Sequence, residues 1–391
     1  MKRILIFSLT YYPKFIGGDG VAIKEITDRI DPSDIEFHMI TLRLDSTLPK
    51  VEQLGNVLIH RIGCARPNPS ATDLKRFPLH YTKALFQFTA VLTAYALHRR
   101  YHYDGVWAMM AHSSGVPAAL FKILNPRVPY LLTLQEGDPP EYIEKVMRPL
   151  WPLFSRAFTR ADFVQTISNF LGDWARRRGF AGPLEVIPNG VEVKHFAGDP
   201  IPHEGTILIT TSRLVHKNAV DDVIRALKFL PKDIRFRILG VGPDENMLKE
   251  LVQKEGVSER VEFLGHTTHK DMPRYLHSAD IFVRPSRSEG MGNSFVEAMA
   301  AGLPVIATQE GGIADFLFDV KRNPDKEPTG WAVDKDSPKQ IAEAVTEILG
   351  NPEQTKKVIN NAQKLATEKY DWDLLARDMR QKVFGRVFNL S

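Results

Sequence analysis

The segment Ile281-Phe282-Val283-Arg284-Pro285-Ser286-Arg287-Ser288-Glu289-Gly290-Met291-Gly292-Asn293-Ser294-Phe295-Val296-Glu297-Ala298-Met299-Ala300 decides the fold. A short strand-forming run stops at a proline, a loop with two glycines follows, and an apolar helical pattern runs from Asn293 to Ala301. Gly302-Leu303 then turns the chain into another strand pattern, Pro304–Ala307. The unit therefore reads as strand, crossover helix and parallel strand.

The same alternation extends both ways. Upstream lie strand patterns at Thr206–Thr211, Arg235–Leu239 and Val261–Leu264, with helical ones at Val220–Leu230, Glu245–Glu255 and Met272–Ser278. Helical stretches Pro338–Leu349, Glu353–Lys369 and Trp372–Val387 follow. The first half reads as strands Ile4–Leu9, Ile35–Leu42, Val57–Ile62, Gly105–Met109, Pro129–Leu134, Phe163–Ile167 and Leu184–Ile187. Among them lie helices Gly20–Ile30, Tyr81–Arg100 and Asn169–Arg178. A turn-rich linker, Pro188 to Pro202, separates the halves. The expectation is an α/β protein of two doubly wound domains facing a cleft, 1–194 and 195–370, with a terminal helix at 371–391.

Composition excludes several classes. The chain has 391 residues, 43% hydrophobic and 25% charged, which suits an ordinary globular protein of two or three domains. The single cysteine, Cys64, forms no internal disulfide, reads as core filler and points to a reducing compartment. No apolar run approaches the ~20 residues that span a bilayer. Ile4–Phe7 is too short for a signal peptide and reads as a first strand, so a cytoplasmic protein is expected. Residues 1–195 carry +6 and the remainder −2, so an anionic partner is expected at the first half. No nucleic-acid-binding motif accompanies that charge.

Ligands of open α/β sheets bind beyond the carboxyl ends of strands. Three loops are placed to do so. Gly17-Gly18-Asp19-Gly20 follows the first strand, where small residues let backbone amides approach an anion. Arg213 and Lys217, four positions apart after a strand, can converge on one polyanion as fork and point charge. The third loop is the opening segment, where amides near Asn293 and Ser294 can meet a phosphate. Glu289 and Glu297 flank it; Ser294-Phe295-Val296-Glu297 also reads as a capping box, which would make Glu297 structural.

Glu289 and Glu297, within Glu-Gly-x-Gly-x-x-x-x-Glu-Ala, resemble the E-x7-E signature of glycosyltransferase family 4. Arg213-Leu-x-x-x-Lys217, Ile187-Pro-Asn-Gly-Val191, Gly240-Val-Gly-Pro243, Phe263-Leu-Gly265 and Gly302-Leu-Pro-Val-Ile-Ala307 match further blocks of that family. The resemblance implies the GT-B fold, two Rossmann-like domains, with the last helix crossing back to the first. It implies retaining, metal-independent transfer of a hexosyl group from a nucleoside diphosphate sugar, more often uridine than guanosine, with no cofactor. Arg213 and Lys217 would hold the diphosphate, assisted by Gly17, Gly18, Gly290, Met291, Gly292, Asn293, Ser294 and Gly265. Glu297 would take the ribose and Glu289 the transferred sugar. Asp334-Lys-Asp336 and Asp371-Trp-Asp373 match a metal-binding Asp-x-Asp only nominally.

The chain departs from the family where relatives carry a histidine at the end of the strand reading Leu132-Thr-Leu134, here followed by Gln135 and Glu136. Glu136 is a candidate to orient or deprotonate the acceptor hydroxyl, and Gln135 and His112 are acceptor-side candidates. The acceptor class stays open among polysaccharide, glycolipid and small molecule. A same-fold nucleotide-sugar 2-epimerase and a non-catalytic sugar-nucleotide-binding protein are the alternatives. Phe77–Tyr101, apolar with basic ends, fits either a helix packed on its own sheet or one touching the inner membrane surface.

Overall fold

Ile4, Leu5, Ile6 and Phe7 are all fully buried, as a strand covered on both faces must be. They lie in β1 (Lys2–Phe7), at the middle of the first sheet of a computed structural model that describes residues 1–14, 17–70 and 73–390. The other strands of that sheet are β2 (Ile35–Leu42), β3 (Val51–Leu54), β4 (Val57–Ile62), β5 (Gly105–Met109), β6 (Tyr130–Leu134), β7 (Phe163–Thr166) and β8 (Leu184–Val186). Their order is β3-β4-β2-β1-β5-β6-β7-β8, parallel except for the β3–β4 hairpin. This unit takes in Met1–Pro188 together with the segment from Trp372.

The second unit, Asn189–Asp371, has its own parallel sheet. It comprises β9 (Ile207–Thr211), β10 (Arg235–Leu239), β11 (Val261–Gly265), β12 (Ile281–Arg284), β13 (Val305–Ala307) and β14 (Trp331–Ala332), in the order β11-β10-β9-β12-β13-β14. Both units are doubly wound α/β folds, as expected. Each has one place where the strand order reverses: between β1 and β5 in the first, and between β9 and β12 in the second. Loops leaving the two strands part there and open a crevice, which is where such sheets bind ligands.

Some elements differ from the sequence reading. The hairpin strand β3 and the two-residue β14 were not expected, nor were helices Val116–Leu124, Pro140–Val146 and Trp151–Thr159. Cys64 is exposed rather than core filler, because it follows β4 in the loop that leaves the sheet. The last helix is broken into Trp372–Asp378, a π-turn at Met379–Phe384 and Gly385–Phe388.

Helix Leu79–Tyr101 has two apolar faces. Phe86, Ala90, Val91 and Ala94 are buried, whereas Phe77, Tyr81, Leu85, Phe88, Leu92 and Tyr95 form an exposed row, Leu92 at 72%. Among the described residues no helix is long and apolar enough to cross a membrane.

The segment from Trp372 completes the first unit's core. Trp372, Leu375, Met379, Val383, Phe384 and Phe388 join Ile23, Ile26, Phe37 and Trp107 in one apolar cluster. Phe384 meets Trp107 edge-on at 5.1 Å between ring centroids. Arg380–Asp34 (2.6 Å) and Arg29–Asp373 (2.7 Å) ion pairs flank the contact. A Cβ on Gly105 of β5 would lie 2.3 Å from the Phe388 ring. Gly105→Val should therefore push the last turn off the sheet and destabilise the protein by about 1–3 kcal/mol, the usual cost of overpacking a core. Denaturant unfolding with trimming of the C-terminal segment by a protease checks this; an unchanged midpoint would refute the contact.

Candidate functional site

The second unit's crevice is built by two loops. β9 ends at Thr211 beside β12, with Ile281 opposite Leu208. The loop after β9 carries Arg213 and Lys217, and a short turn at His216–Asn218 shapes it. Asn218 donates Nδ2–H to the Arg213 carbonyl at 2.6 Å. The neighbouring loop lies flush with it: Gly240 (φ +141) is so close that a Cβ would sit 1.8 Å from the Ser212 carbonyl oxygen. Only glycine fits there. The Arg213 side chain is left exposed.

The loop after β12 is stitched to this one by two arginines. The Arg287 amide donates to the Lys217 carbonyl at 2.7 Å, and its guanidinium to the His216 carbonyl at 2.7 Å. The same guanidinium meets Asp221 (2.8 Å), Asp222 (3.0 Å) and Asp336 (2.6 Å). Arg284, buried at the tip of β12, donates to Glu289, to Ser294 Oγ (2.5 Å), to Ser286 Oγ (3.1 Å) and to Asn218 Oδ1 (3.4 Å). Glu289 is buried, and its other oxygen accepts the Gly290 amide at 3.1 Å.

The expected capping box does not form. Gly292, at φ +86, holds the N-cap position of helix Asn293–Ala300, and no side chain caps it. Ser294 sits inside the first turn with its hydroxyl drawn to Arg284, so Glu297 has no serine to answer. Glu297 Oε1 instead lies 3.7 Å from His269 Nε2, whose ring stacks on His195. Met291 is buried, its sulfur accepting the Asn189 amide at 3.3 Å, and Asn293 reaches the Gly190 carbonyl at 3.5 Å. Gly265, φ +71, ends β11, and its carbonyl accepts the Gly240 amide at 2.7 Å. Asp334 and Asp336 are spoken for by Arg322 and Arg287, and Asp373 by Arg29. Among the described residues no three His, Cys, Asp or Glu side chains group as they would around a metal ion.

In the first unit Gly17 holds the N-cap position of helix Gly18–Asp28. A side chain at Gly18 would meet nothing within 4 Å, so the backbone is open to approach. At the neighbouring strand tips, Glu136 is 2% exposed and accepts the Ala111 amide at 2.6 Å through Oε1. His112 Nδ1 lies 3.5 Å from that oxygen, beyond hydrogen-bond geometry, and Glu136 Oε2 has no partner. Burial raises the Asp19 carboxyl above its ordinary value; Glu136 adds to the rise and His112 opposes it. Gln135 is buried beside Glu136. The crevice thus gathers Asp19, His112 and Glu136, of which Asp19 was not expected. Sequence reasoning also passed over Arg284 and Arg287, although a cation closing an apolar strand was a visible signal for the first.

Two family profiles cover most of the chain. That described as "Glycosyl transferase 4-like domain" matches residues 17–190, and "Glycosyl transferases group 1" matches 192–365. An uncharacterised glycosyltransferase of Methanocaldococcus jannaschii is 31% identical over 399 residues, covering 96% of each protein. A GDP-mannose-dependent alpha-(1-6)-phosphatidylinositol monomannoside mannosyltransferase of Mycobacterium tuberculosis is 30% identical over 57% of this chain and 62% of its own. Among solved structures, sucrose-phosphate synthase from Thermosynechococcus elongatus superposes with a TM-score of 0.81 at 21% identity, over 100% of both chains. Anabaena HepE in complex with UDP and glucose gives 0.75 at 18% identity, over 98% of this chain and 99% of that one.

The Arg287 knot titrates. Hydrogen bonds from Arg287 and Arg225 hold the buried Asp221 below the usual carboxylate range. Burial, followed by the charge of Asp221, pushes Asp222 up to about 6. A carboxyl raised on folding adds stability below its unfolded value, and that addition is lost as pH rises through the folded one. Asp222→Asn should therefore melt above the wild type at neutral pH, with the gap closing between about 6 and the ordinary carboxyl value of 3.8. Parallel melting curves across that window would refute the assignment.

Proposed function

The chain belongs to the group 1 glycosyltransferases, and on that premise we propose that it moves a hexosyl group from a nucleoside diphosphate sugar to an acceptor hydroxyl, retaining the anomeric configuration and needing no metal ion. The carrying observation is the second unit's crevice, where the Arg213/Lys217 loop is tied by Arg287 to the loop after β12 and, through Asn218 and Arg284, to Glu289 and the start of helix Asn293–Ala300. Arg213 supplies a planar fork and Lys217 a point charge for the diphosphate, and the Asn293 and Ser294 amides add theirs. These donors stabilise charge as the nucleoside diphosphate leaves, commonly the largest part of such catalysis. Glu297 accepts from the ribose hydroxyls and Glu289 from those of the transferred sugar, while Gly265, Gly290, Met291 and Gly292 shape the walls. Uridine donors come first to hand, since HepE is described with UDP and glucose, and guanosine second, after the GDP-mannose-dependent relative.

The first unit takes the acceptor. Gly18 offers an unobstructed backbone there, and Glu136, with one buried oxygen lacking a partner, suits an incoming hydroxyl beside His112 and Gln135. Helix Leu79–Tyr101 sets this unit against an anionic membrane surface on the cytoplasmic side. Its exposed row repeats at four- and three-residue steps from Tyr81 to Tyr95, and residues 74–103 hold five basic and no acidic side chains. Apolar contact and attraction to anionic headgroups then act together.

Arg213→Ala with Lys217→Ala should leave the protein folded and cut transfer from UDP- or GDP-hexose by at least roughly 10²–10³, as for loss of one oxyanion donor. Full activity in that variant would overturn the reading, and isomerised donor formed without acceptor would mark an epimerase instead. In sedimentation with phosphatidylglycerol vesicles the wild type should pellet, and Leu85→Glu with Leu92→Glu should stay in solution. No pelleting of the wild type would remove the membrane contact.

A further inference from the structure

We infer that Arg284 is a positioning residue that presets Glu289 for the donor sugar, an inference that rests on the donor reading above. A guanidinium at the end of the buried run Ile281–Val283 is costly to desolvate, and an apolar side chain would serve packing better. Arg284 nevertheless lies 7% exposed, with Phe295's ring 4.7 Å beneath its carbon. Its three nitrogens reach all the segments that build the crevice. Nε meets Ser286 in its own loop, Nη1 meets Ser294 in the helix's first turn, and Nη2 meets both Glu289 and Asn218.

One consequence follows for the donor. Glu289 has one oxygen on Gly290's amide and the other on Arg284, so its carboxylate is fixed in direction and its remaining lone pairs can only accept. Hydroxyl hydrogens of a neutral hexose are the groups that answer such a surface. The helix start is capped by no side chain because Gly292 holds the N-cap position, so the first-turn amides proposed for the phosphate do not depend on Arg284. One planar fork thus fixes Glu289 while also reaching Ser286, Ser294 and Asn218, which a lysine's point charge does not reproduce.

The test compares melting shifts given by UDP and UDP-glucose, and by GDP and GDP-mannose, in wild type, Arg284→Met, Glu289→Gln and the double variant. In the wild type the cognate nucleotide sugar should raise the melting temperature beyond its nucleotide alone. Arg284→Met should keep the nucleotide shift and lose the sugar's increment, as should Glu289→Gln. The double variant leaves no unpaired buried charge and so remains folded if the single one does not; it should match Glu289→Gln. Loss of the nucleotide shift itself in the Arg284 variants, or a sugar increment that survives in them, would overturn the inference. A wild type blind to every nucleotide and nucleotide sugar would instead overturn the donor reading, and this inference with it.

Discussion

Polar loops at the carboxyl edge of a parallel sheet have no apolar core to hold them, so something else must. In the second unit that task falls to Arg287, whose guanidinium is gripped by Asp221, Asp222 and Asp336 and donates to the His216 carbonyl while its amide donates to the Lys217 carbonyl. Charge-assisted bonds of this kind are short and directional. Three carboxylates face two guanidiniums, Arg287 and Arg225, and burial with the charge of Asp221 raises Asp222. The knot sets the distance between the loop bearing Arg213 and the loop bearing Glu289. If it slackened, Arg213 and Glu289 would each keep a place after their own strand but lose it relative to the other.

The two units manage charge differently. Around the second crevice the buried Arg284 and Glu289 are matched to each other, and Arg213 stands exposed. A site of this type meets a dianionic ligand with donors already oriented. The first crevice gathers Asp19, Glu136 and His112, and one Glu136 oxygen lies buried with no partner. An unpaired buried carboxylate oxygen is costly, and it favours whatever ligand brings a hydrogen to it.

The doubly wound plan was legible because buried parallel strands are nearly continuous apolar runs, as Ile4–Phe7 and Ile281–Val283 are. β3 escaped notice because Val51-Glu52-Gln53-Leu54 is a short edge strand with mixed residues, and helix Val116–Leu124 because it is apolar on most sides. For the candidate site residues the position was legible: Arg213, Lys217 and Glu289 all sit just beyond strand ends, as the sequence pattern implied. What a line of residues does not convey is competition between partners. Ser294 and Glu297 have the spacing of a capping box, but Arg284 reaches Ser294 from ten residues upstream and Gly292 takes the cap position. Cys64 shows the same limit, since a small apolar side chain in a departing loop has nothing to be buried against.

The return of the chain to its first unit has a bearing on biosynthesis. Phe37 and Trp107 are translated long before Phe384 and Phe388, the rings that cover them. As the polypeptide leaves the ribosome, the unit made first therefore waits with an open apolar seam while the whole of Asn189–Asp371 is threaded out and free to consolidate. Order of synthesis and order of completion are thereby reversed, and a nascent chain stalled before Trp372 would offer that seam to holding chaperones.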